Sequence, residues 1–152
     1  MGSIFNKDFL DFISALNKAQ VEYILVGGYA VILHGYNRTT GDLDIWVNPT
    51  EENYHRLLQA FAFFGLPTDV ISKDDFLDIN NFEVFTFGRP PVSIDIMTKV
   101  KGLDFLSTLK KSSEYETNGL KIRLIHYNSL IKAKKSSGRL KDLNDIQHLE
   151  QE

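Results

Sequence analysis

The sequence predicts an α/β (α+β) protein, a mixed β-sheet with packed helices and a C-terminal helical pair. Three observations support this prediction: apolar residues recur at helical spacing in several segments, short apolar or alternating runs between them indicate strands, and Asn118-Gly119 between two extended runs marks a hairpin. The 152 residues contain no repeat, linker or low-complexity tract. We therefore expect a single domain over residues 1–152.

The first half of the chain predicts alternating helices and strands. In NKDFLDFISALNKAQ, apolar residues at helical spacing follow the candidate N-cap Asn6 and predict a helix. EYILV predicts a buried strand that ends at Gly27 and Gly28, and YAVILHG predicts a short helix that ends at Gly35. DLDIWV predicts the next strand, and a long helix begins after Pro49. The apolar stripe of that helix consists of Tyr54, Leu57, Leu58, Phe61 and Phe64.

The second half predicts further strands and then helices. SKDDF indicates a short helical turn that begins with a capping box. FEVFTF and VSIDIM predict two strands joined by GRPP, whose prolines cannot continue a ladder. LDFLSTLKK predicts a helix, and YETNGLKIRLI predicts the hairpin. Two closing helices, from about Asn128 and from about Leu140, are expected over residues 128–150.

Composition and charge exclude several classes of protein. The 17 basic and 20 acidic residues give a formal net charge of −3, so we expect no overall attraction to nucleic acid or anionic membranes. The chain has no cysteine, which excludes disulfides, thiolate nucleophiles and cysteine-ligated zinc. No apolar run approaches the roughly 18 residues of a membrane helix, and the first residues lack the layout of a secretory signal. We expect a soluble, cytoplasmic protein with no membrane partner.

Three aspartates lie on the less apolar faces of two predicted strands. Asp42 and Asp44 are two residues apart and therefore share one strand face. Asp95 alternates with Ile94 and Ile96 in the later strand. If the two strands are neighbours, the three carboxylates converge, and such a cluster suits hard divalent cations because bare anions repel each other. A two-metal carboxylate site stabilises the attacking and leaving oxygens of phosphoryl transfer.

The same residues also have purely structural interpretations. A lone strand aspartate is commonly a solvated edge residue, and Asp42 has a credible role in the turn that precedes it. Gly27 and Gly28 allow backbone N–H groups to approach a phosphate, but taken alone a tight strand-to-helix turn is the commoner reason for such a pair. Trp46 shares the face of the aspartates and can stack on a base, although a core aromatic is the commoner case. Neither the dinucleotide-binding nor the P-loop glycine motif is present.

Read together, these residues resemble the signature of the polymerase-beta-like nucleotidyltransferases. The matching pattern is the pair Gly27-Gly28, a gap of thirteen residues, and Asp42-Leu43-Asp44-Ile45, with Asp95 as the third carboxylate. The closer resemblance is to the small nucleotidyltransferases of bacterial toxin–antitoxin and abortive-infection systems, whose motif R-x-T-x-D-[ILV]-D is matched with Arg38 and Thr40 in place. Their C-terminal motif is matched by Leu130, Ile131, Lys134, Arg139, Lys141, Asp142 and Asp145.

This resemblance covers residues 21 to about 149 and implies a nucleotidyltransferase-like fold that uses a nucleoside triphosphate as substrate. It implies that Gly27 and Gly28 hold the phosphates through backbone N–H groups. Asp42, Asp44 and Asp95 would bind two Mg²⁺ (or Mn²⁺) ions, and Asp95 would help to deprotonate an acceptor hydroxyl. The implied reaction attaches a nucleoside monophosphate to that hydroxyl and releases pyrophosphate.

Basic and hydroxyl residues complete the nucleotide-binding set that the resemblance implies. Lys134, at the lysine position of the family, is expected to reach a phosphate, and Lys141 is a second candidate. Thr40 belongs to the same set, and Arg38 either meets a phosphate or braces its loop. Many relatives carry serine where this chain has Gly28, which leaves only backbone contacts there. The residues expected to pair with one another and fix the closing helices are Arg139, Asp142 and Asp145.

Two functions from different classes remain open, and a third is disfavoured. The first is an enzyme, a metal-dependent nucleotidyltransferase whose acceptor is transfer RNA, a protein or a small molecule. The second is a nucleotidyltransferase-fold binding module with little or no turnover, such as one component of a toxin–antitoxin pair with a cognate partner protein. The third, a metal hydrolase, lacks a histidine-rich ligand set. The three intact aspartates favour the enzyme, because such a cluster costs stability without a metal.

Overall fold

The computed structural model describes residues 5–78, 80, 84–89 and 92–151, which form six strands and seven helices. The strands are β1 Tyr23–Val26, β2 Asp42–Val47, β3 Val84–Arg89, β4 Val92–Met97, β5 Ser113–Thr117 and β6 Leu120–Leu124. The helices are α1 Lys7–Lys18, α2 Gly27–Leu33, α3 Glu51–Phe64, α4 Lys73–Leu77, α5 Phe105–Lys111, α6 Tyr127–Ser137 and α7 Leu140–Leu149. The predicted turn at Pro90-Pro91 lies outside the described residues.

The strands form one mixed sheet in the order β3-β4-β2-β1-β6-β5. The pairs β2–β4 and β1–β6 are parallel, whereas β1–β2, β3–β4 and β5–β6 are antiparallel. This arrangement confirms the predicted fold class. Because β2 and β4 are neighbours in the sheet, Asp42 and Asp44 lie close to Asp95.

A large part of the core lies on the sheet face opposite the aspartates. Leu43 and Ile45 of β2 are completely buried on that face. Phe12 of α1 stacks on Phe61 of α3, and Phe61 contacts Phe87 of β3 edge-on. The amphipathic helices α1 and α3 therefore cover this face, as the helical spacing of their apolar residues predicts. Within the described residues, no helix combines the length and apolar character needed to cross a bilayer.

Trp46 contributes to the core on the other face. Its side chain is 1% exposed and contacts Phe105 of α5 edge-on. The indole is thus covered by α5 at the far end of the strand that begins with the aspartates. The core interpretation of Trp46 accounts for this position, and stacking on a base does not.

Local signals in the sequence set the ends of several elements. The side chain of Asn6 accepts the N–H of Phe9 at 2.9 Å, and that of Ser72 accepts the N–H of Asp75 at 3.1 Å, so both helices begin at a capping residue. At the hairpin, Asn118 has φ 52° and Gly119 has φ 77°. Positive φ at both central residues is what a type I′ turn requires.

Asn53 is a buried amide whose substitution tests the packing of α3 on the sheet. Its oxygen accepts the N–H of Glu22 at 2.8 Å, and its nitrogen donates to the carbonyls of Glu22 at 3.1 Å and Asn48 at 2.9 Å. Asn53→Ala leaves these backbone groups unpaired, so we expect the free energy of unfolding to fall by about 1–3 kcal/mol in urea titrations. The matched control is Gln59→Ala, exposed on the same helix. Equal losses in both variants would contradict this account.

Candidate functional site

The pairing of β2 with β4 brings the three predicted aspartates together. Asp44 lies opposite Asp95, and Asp42 lies opposite Ser93. The Ser93 hydroxyl donates to Asp42 Oδ1 at 2.6 Å, and the Thr86 hydroxyl donates to Asp95 Oδ1 at 2.8 Å. Neither hydroxyl was predicted from the sequence. The same period-2 alternation that identified Asp95 places Ser93 on its face, but only the strand order shows which residues lie opposite.

Asp44 lies at the centre of this cluster and has the most perturbed environment. Burial, the charge of Asp95 with a side-chain hydrogen bond to it, and the charge of Asp42 raise the pKa of Asp44 to about 7. A backbone hydrogen bond from Gly28 acts in the opposite direction and favours the charged form. Below about pH 7, Asp44 therefore retains a proton, and a bound cation would be another way to neutralise the cluster.

The turn at Gly27 and Gly28 packs directly against this cluster. Gly27 has φ +70°, and a Cβ built there would overlap the Asp44 carboxylate. A Cβ at Gly28 would lie 2.6 Å from Thr40 Oγ1 and 3.3 Å from Arg38 Nη2. Any side chain at position 28 would thus collide with Thr40. The packing of Thr40 therefore gives a physical reason for glycine at position 28.

A cleft of about 530 Å³ lies in front of the aspartates. One wall consists of the glycine turn, β2 and β4, and the facing wall comes from α6, α7 and the loop after β4. The basic residues that line the cleft are Lys99, Lys101, Lys134, Arg139 and Lys141. Lys99 and Lys101 were not predicted as site residues from the sequence. Their position just after the strand that contains Asp95 could have indicated them.

Five charged side chains form a network at the edge of the cleft, which we call the α7 charge network: Arg38, Lys134, Arg139, Asp142 and Asp145. Lys134 Nζ lies 3.3 Å from Asp142 Oδ1 and 3.1 Å from Asp145 Oδ2. Arg139 Nε contacts Asp142 Oδ2 at 2.7 Å, and Arg38 Nε contacts Asp145 Oδ1 at 3.1 Å. The expected pairing of Arg139 with Asp142 is present. Asp145 instead pairs with Arg38 and Lys134, because α7 packs against both the loop after α2 and α6.

Of the remaining predicted nucleotide-binding residues, one lines the cleft and two pack behind it. Lys141 is exposed and lines the cleft, whereas Thr40 packs beside Gly28. Arg38 pairs with Asp145 and donates to the carbonyl of Thr39 at 3.1 Å. Of the two roles left open for Arg38, bracing is the one it has in this structure, and its contact with a phosphate stays a prediction.

The donor set of the cluster suits magnesium or manganese. Three carboxylates supply the hard oxygen ligands that these ions prefer. A divalent cation would also offset the burial and the neighbouring negative charges that together raise the pKa of Asp44. Asp42 and Asp95, however, each accept a hydrogen bond from a hydroxyl group. In the part of the chain that the structure describes, no three acidic, histidine or cysteine side chains are grouped so as to hold a metal ion. We expect the two carboxylates to reorient on binding, and the two-ion set stays a prediction.

Comparisons with known proteins bear on the fold. No protein-family model matches the chain, and a search of curated proteins finds no match. The chain is similar in structure to a proposed nucleotidyltransferase from Thermotoga maritima, with a TM-score of 0.58 and 17% identity over 91% of this chain and 88% of that one. It is also similar to the lincosamide antibiotic adenylyltransferase LnuA, solved with lincomycin bound, with a TM-score of 0.56 and 16% identity over 99% of this chain and 99% of that one. These similarities show a nucleotidyltransferase-like fold. The predicted closeness to toxin–antitoxin nucleotidyltransferases is not among them and stays a prediction.

The raised pKa of Asp44 predicts that the metal-free protein loses stability as pH rises. In the unfolded chain an aspartate has a pKa of about 3.9, whereas in the folded protein the pKa of Asp44 is about 7. The folded state therefore binds this proton more tightly, and its contribution to stability is complete below about pH 4 and is lost as pH rises towards 7. Asp44→Asn cannot ionise, so we expect it to exceed the wild type in stability at pH 8 by on the order of 2 kcal/mol.

Urea unfolding with a chelator present, at pH 5 and pH 8, measures this difference. The matched control is Asp69→Asn in the exposed turn after α3, which should follow the pH profile of the wild type. If Asp44→Asn shows the same change in stability between the two pH values as the wild type, the charge cluster is not the source of the effect.

Proposed function

We propose that this protein is a nucleotidyltransferase that moves a nucleoside monophosphate from a nucleoside triphosphate to an acceptor hydroxyl and releases pyrophosphate. The observation that carries the proposal is the alignment of Asp44 with Asp95 across β2 and β4, beside a glycine turn and opposite a cationic wall. Carboxylates and cations that face each other across one cleft suit a substrate with both metal-binding and anionic groups. A triphosphate has both.

The triphosphate is expected to lie between the glycine turn and the helices α6 and α7. The backbone N–H groups of the Gly27-Gly28 turn would bind the phosphates, while Asp44 and Thr40 fill the space that side chains at these positions would need. Lys134, Arg139 and Lys141 would neutralise phosphate charge from the facing wall. On this proposal Asp42, Asp44 and Asp95 hold two magnesium or manganese ions, which when bound stabilise charge on the attacking and leaving oxygens.

The acceptor is expected on the side of Asp95. On this proposal the phosphates would bind on the β1 side of the carboxylates. The β3–β4 side, where Val84 and Met97 lie opposite each other in the sheet, is then left for the acceptor. The acceptor oxygen would attack the α-phosphorus, the bond to the pyrophosphate oxygen would break, and the hydroxyl proton would pass to Asp95.

A small molecule is the acceptor class we favour. LnuA, which has a similar fold over 99% of both chains, is named as an antibiotic adenylyltransferase, and the net charge of −3 offers no general attraction to RNA. Transfer RNA and a protein hydroxyl are the alternatives. The second candidate function is a nucleotide-binding module without turnover, such as one component of a toxin–antitoxin pair. The hydrogen bonds that Asp42 and Asp95 accept from hydroxyl groups favour it, because they occupy carboxylate oxygens that would otherwise bind a metal ion.

Label transfer distinguishes these functions. The protein is incubated with magnesium, a mixture of α-phosphate-labelled nucleoside triphosphates and a bacterial extract, and the RNA, protein and small-molecule fractions are counted. We expect label in the small-molecule fraction with wild type and with Asp69→Asn. Transfer by Asp44→Asn should fall by at least about 100-fold, because a carboxylate that holds the metal ions is lost.

The alternative outcomes separate the competing proposals. Label in RNA or protein would retain the enzyme and change its acceptor. Magnesium-dependent nucleotide binding without transfer would favour the binding module. If the wild type binds no nucleotide at all, the proposed function is wrong.

A matched pair of glycine substitutions tests the close approach at the turn. Gly27 and Gly65 both have positive φ, but only a Cβ at Gly27 would meet Asp44, whereas nothing lies within 4 Å of one at Gly65. The left-handed conformation costs an alanine about 1–2 kcal/mol at either position. We therefore expect both Gly→Ala variants to lose stability in urea, and only Gly27→Ala to lose nucleotide binding and transfer. Normal binding by folded Gly27→Ala would contradict the assigned role.

A further inference from the structure

The carboxylates of Asp142 and Asp145 on α7 are almost completely buried. Each side chain is 1% exposed, and each accepts contacts from two cations. Removal of a charge from water is costly unless it is paired, so these aspartates need their cations. Burial alone would raise the pKa of Asp142, but Arg139 and Lys134 hold it below its ordinary value. Asp142 is thus an ionised group inside the protein.

The cations of the α7 charge network outnumber its anions. Arg38 comes from the loop after α2, Lys134 from α6 and Arg139 from the start of α7, so three positive charges face two negative ones. Lys134 and Arg139 line the cleft, and so does Asp142, whereas Arg38 and Asp145 do not. The network thus carries one more positive than negative charge, and it borders the cleft.

Of the two cations at the cleft, Arg139 is the accessible one. The Lys134 side chain is 8% exposed, donates a hydrogen bond to Asp142 and forms an ion pair with Asp145. The Arg139 side chain is 66% exposed. Its pKa is raised, first by the hydrogen bond to Asp142 and further by the charges of Asp142, Asp44 and Asp145, so Arg139 is within electrostatic reach of the catalytic candidate Asp44.

We propose that Asp142 and Asp145 are positioning residues that hold Lys134 and Arg139 at the cleft and Arg38 behind the glycine turn, and that Arg139 contacts the triphosphate directly. This inference rests on the proposed function, since it assigns parts of the same site. The competing explanation is that the network only anchors α7 to the rest of the fold.

The test measures binding of magnesium tripolyphosphate, which carries the anionic part of the substrate without a base, and of each magnesium–nucleoside triphosphate. Asp142→Asn and Asp145→Asn are compared with Ile146→Ala, which removes a buried apolar side chain from the same helix outside the network. Measured below the melting temperature of each variant, the dissociation constants of the two Asp→Asn variants should rise at least about tenfold. Ile146→Ala should lower the melting temperature and leave the dissociation constant unchanged.

Arg139→Gln covers the case in which the Asp→Asn variants do not fold. Its side chain is mostly exposed and Asp142 keeps Lys134, so the variant should fold and still bind about tenfold more weakly. Arg139→Lys, which keeps the charge, should recover part of the loss. Where transfer is measurable, these variants should raise KM for the nucleotide and leave KM for the acceptor unchanged.

The two proposals fail in different ways. If the wild type binds neither tripolyphosphate nor any nucleotide, the proposed function is wrong. If the wild type binds but the Asp→Asn and Arg139→Gln variants bind equally well, the network is only structural and this inference is overturned.

Discussion

The forced proximity of two like charges is the constraint on which the rest of this site depends. Asp44 and Asp95 face each other because β2 and β4 are parallel neighbours, and the adjacent residues Ile45 and Ile96 are completely buried on the opposite face. The repulsion between the carboxylates cannot separate the strands without exposing this apolar core. The sheet therefore holds an arrangement that the charges alone would not adopt, and the pKa of Asp44 is raised by its burial and by the charges of Asp95 and Asp42.

The three aspartates of the sheet and the basic residues of the cleft lie on different walls. Asp42, Asp44 and Asp95 lie on β2 and β4, whereas the basic residues and Asp142 line the facing wall. Within the α7 charge network, Asp142 and Asp145 pair with Lys134, Arg139 and Arg38 at the expense of burying two carboxylates. A ligand with both metal-binding and anionic groups would join the two halves, which is the physical basis of the proposed nucleotidyl transfer.

Much of the architecture was predictable because its signals are local. Asn6 and Ser72 begin helices through contacts with residues three positions away, and Asn118-Gly119 forms its turn through its own backbone preferences. The mixed sheet with packed helices follows from these elements and is confirmed. The aspartates were identifiable for the same reason, since alternation along a strand decides which side chains share a face.

The sequence by itself thus determined the elements, their faces and the residue types available for chemistry. Only the tertiary structure decided which of these residues meet. The Ser93 hydroxyl donates a hydrogen bond to Asp42, 51 residues away in the sequence, and Arg38 donates one to Asp145, 107 residues away. The burial of Trp46, the pairing of Asp145 and the basic wall formed by Lys99 and Lys101 likewise depend on strand order and helix docking. Such contacts join segments far apart in the chain, and no local pattern encodes them because their energies arise only once the sheet is assembled.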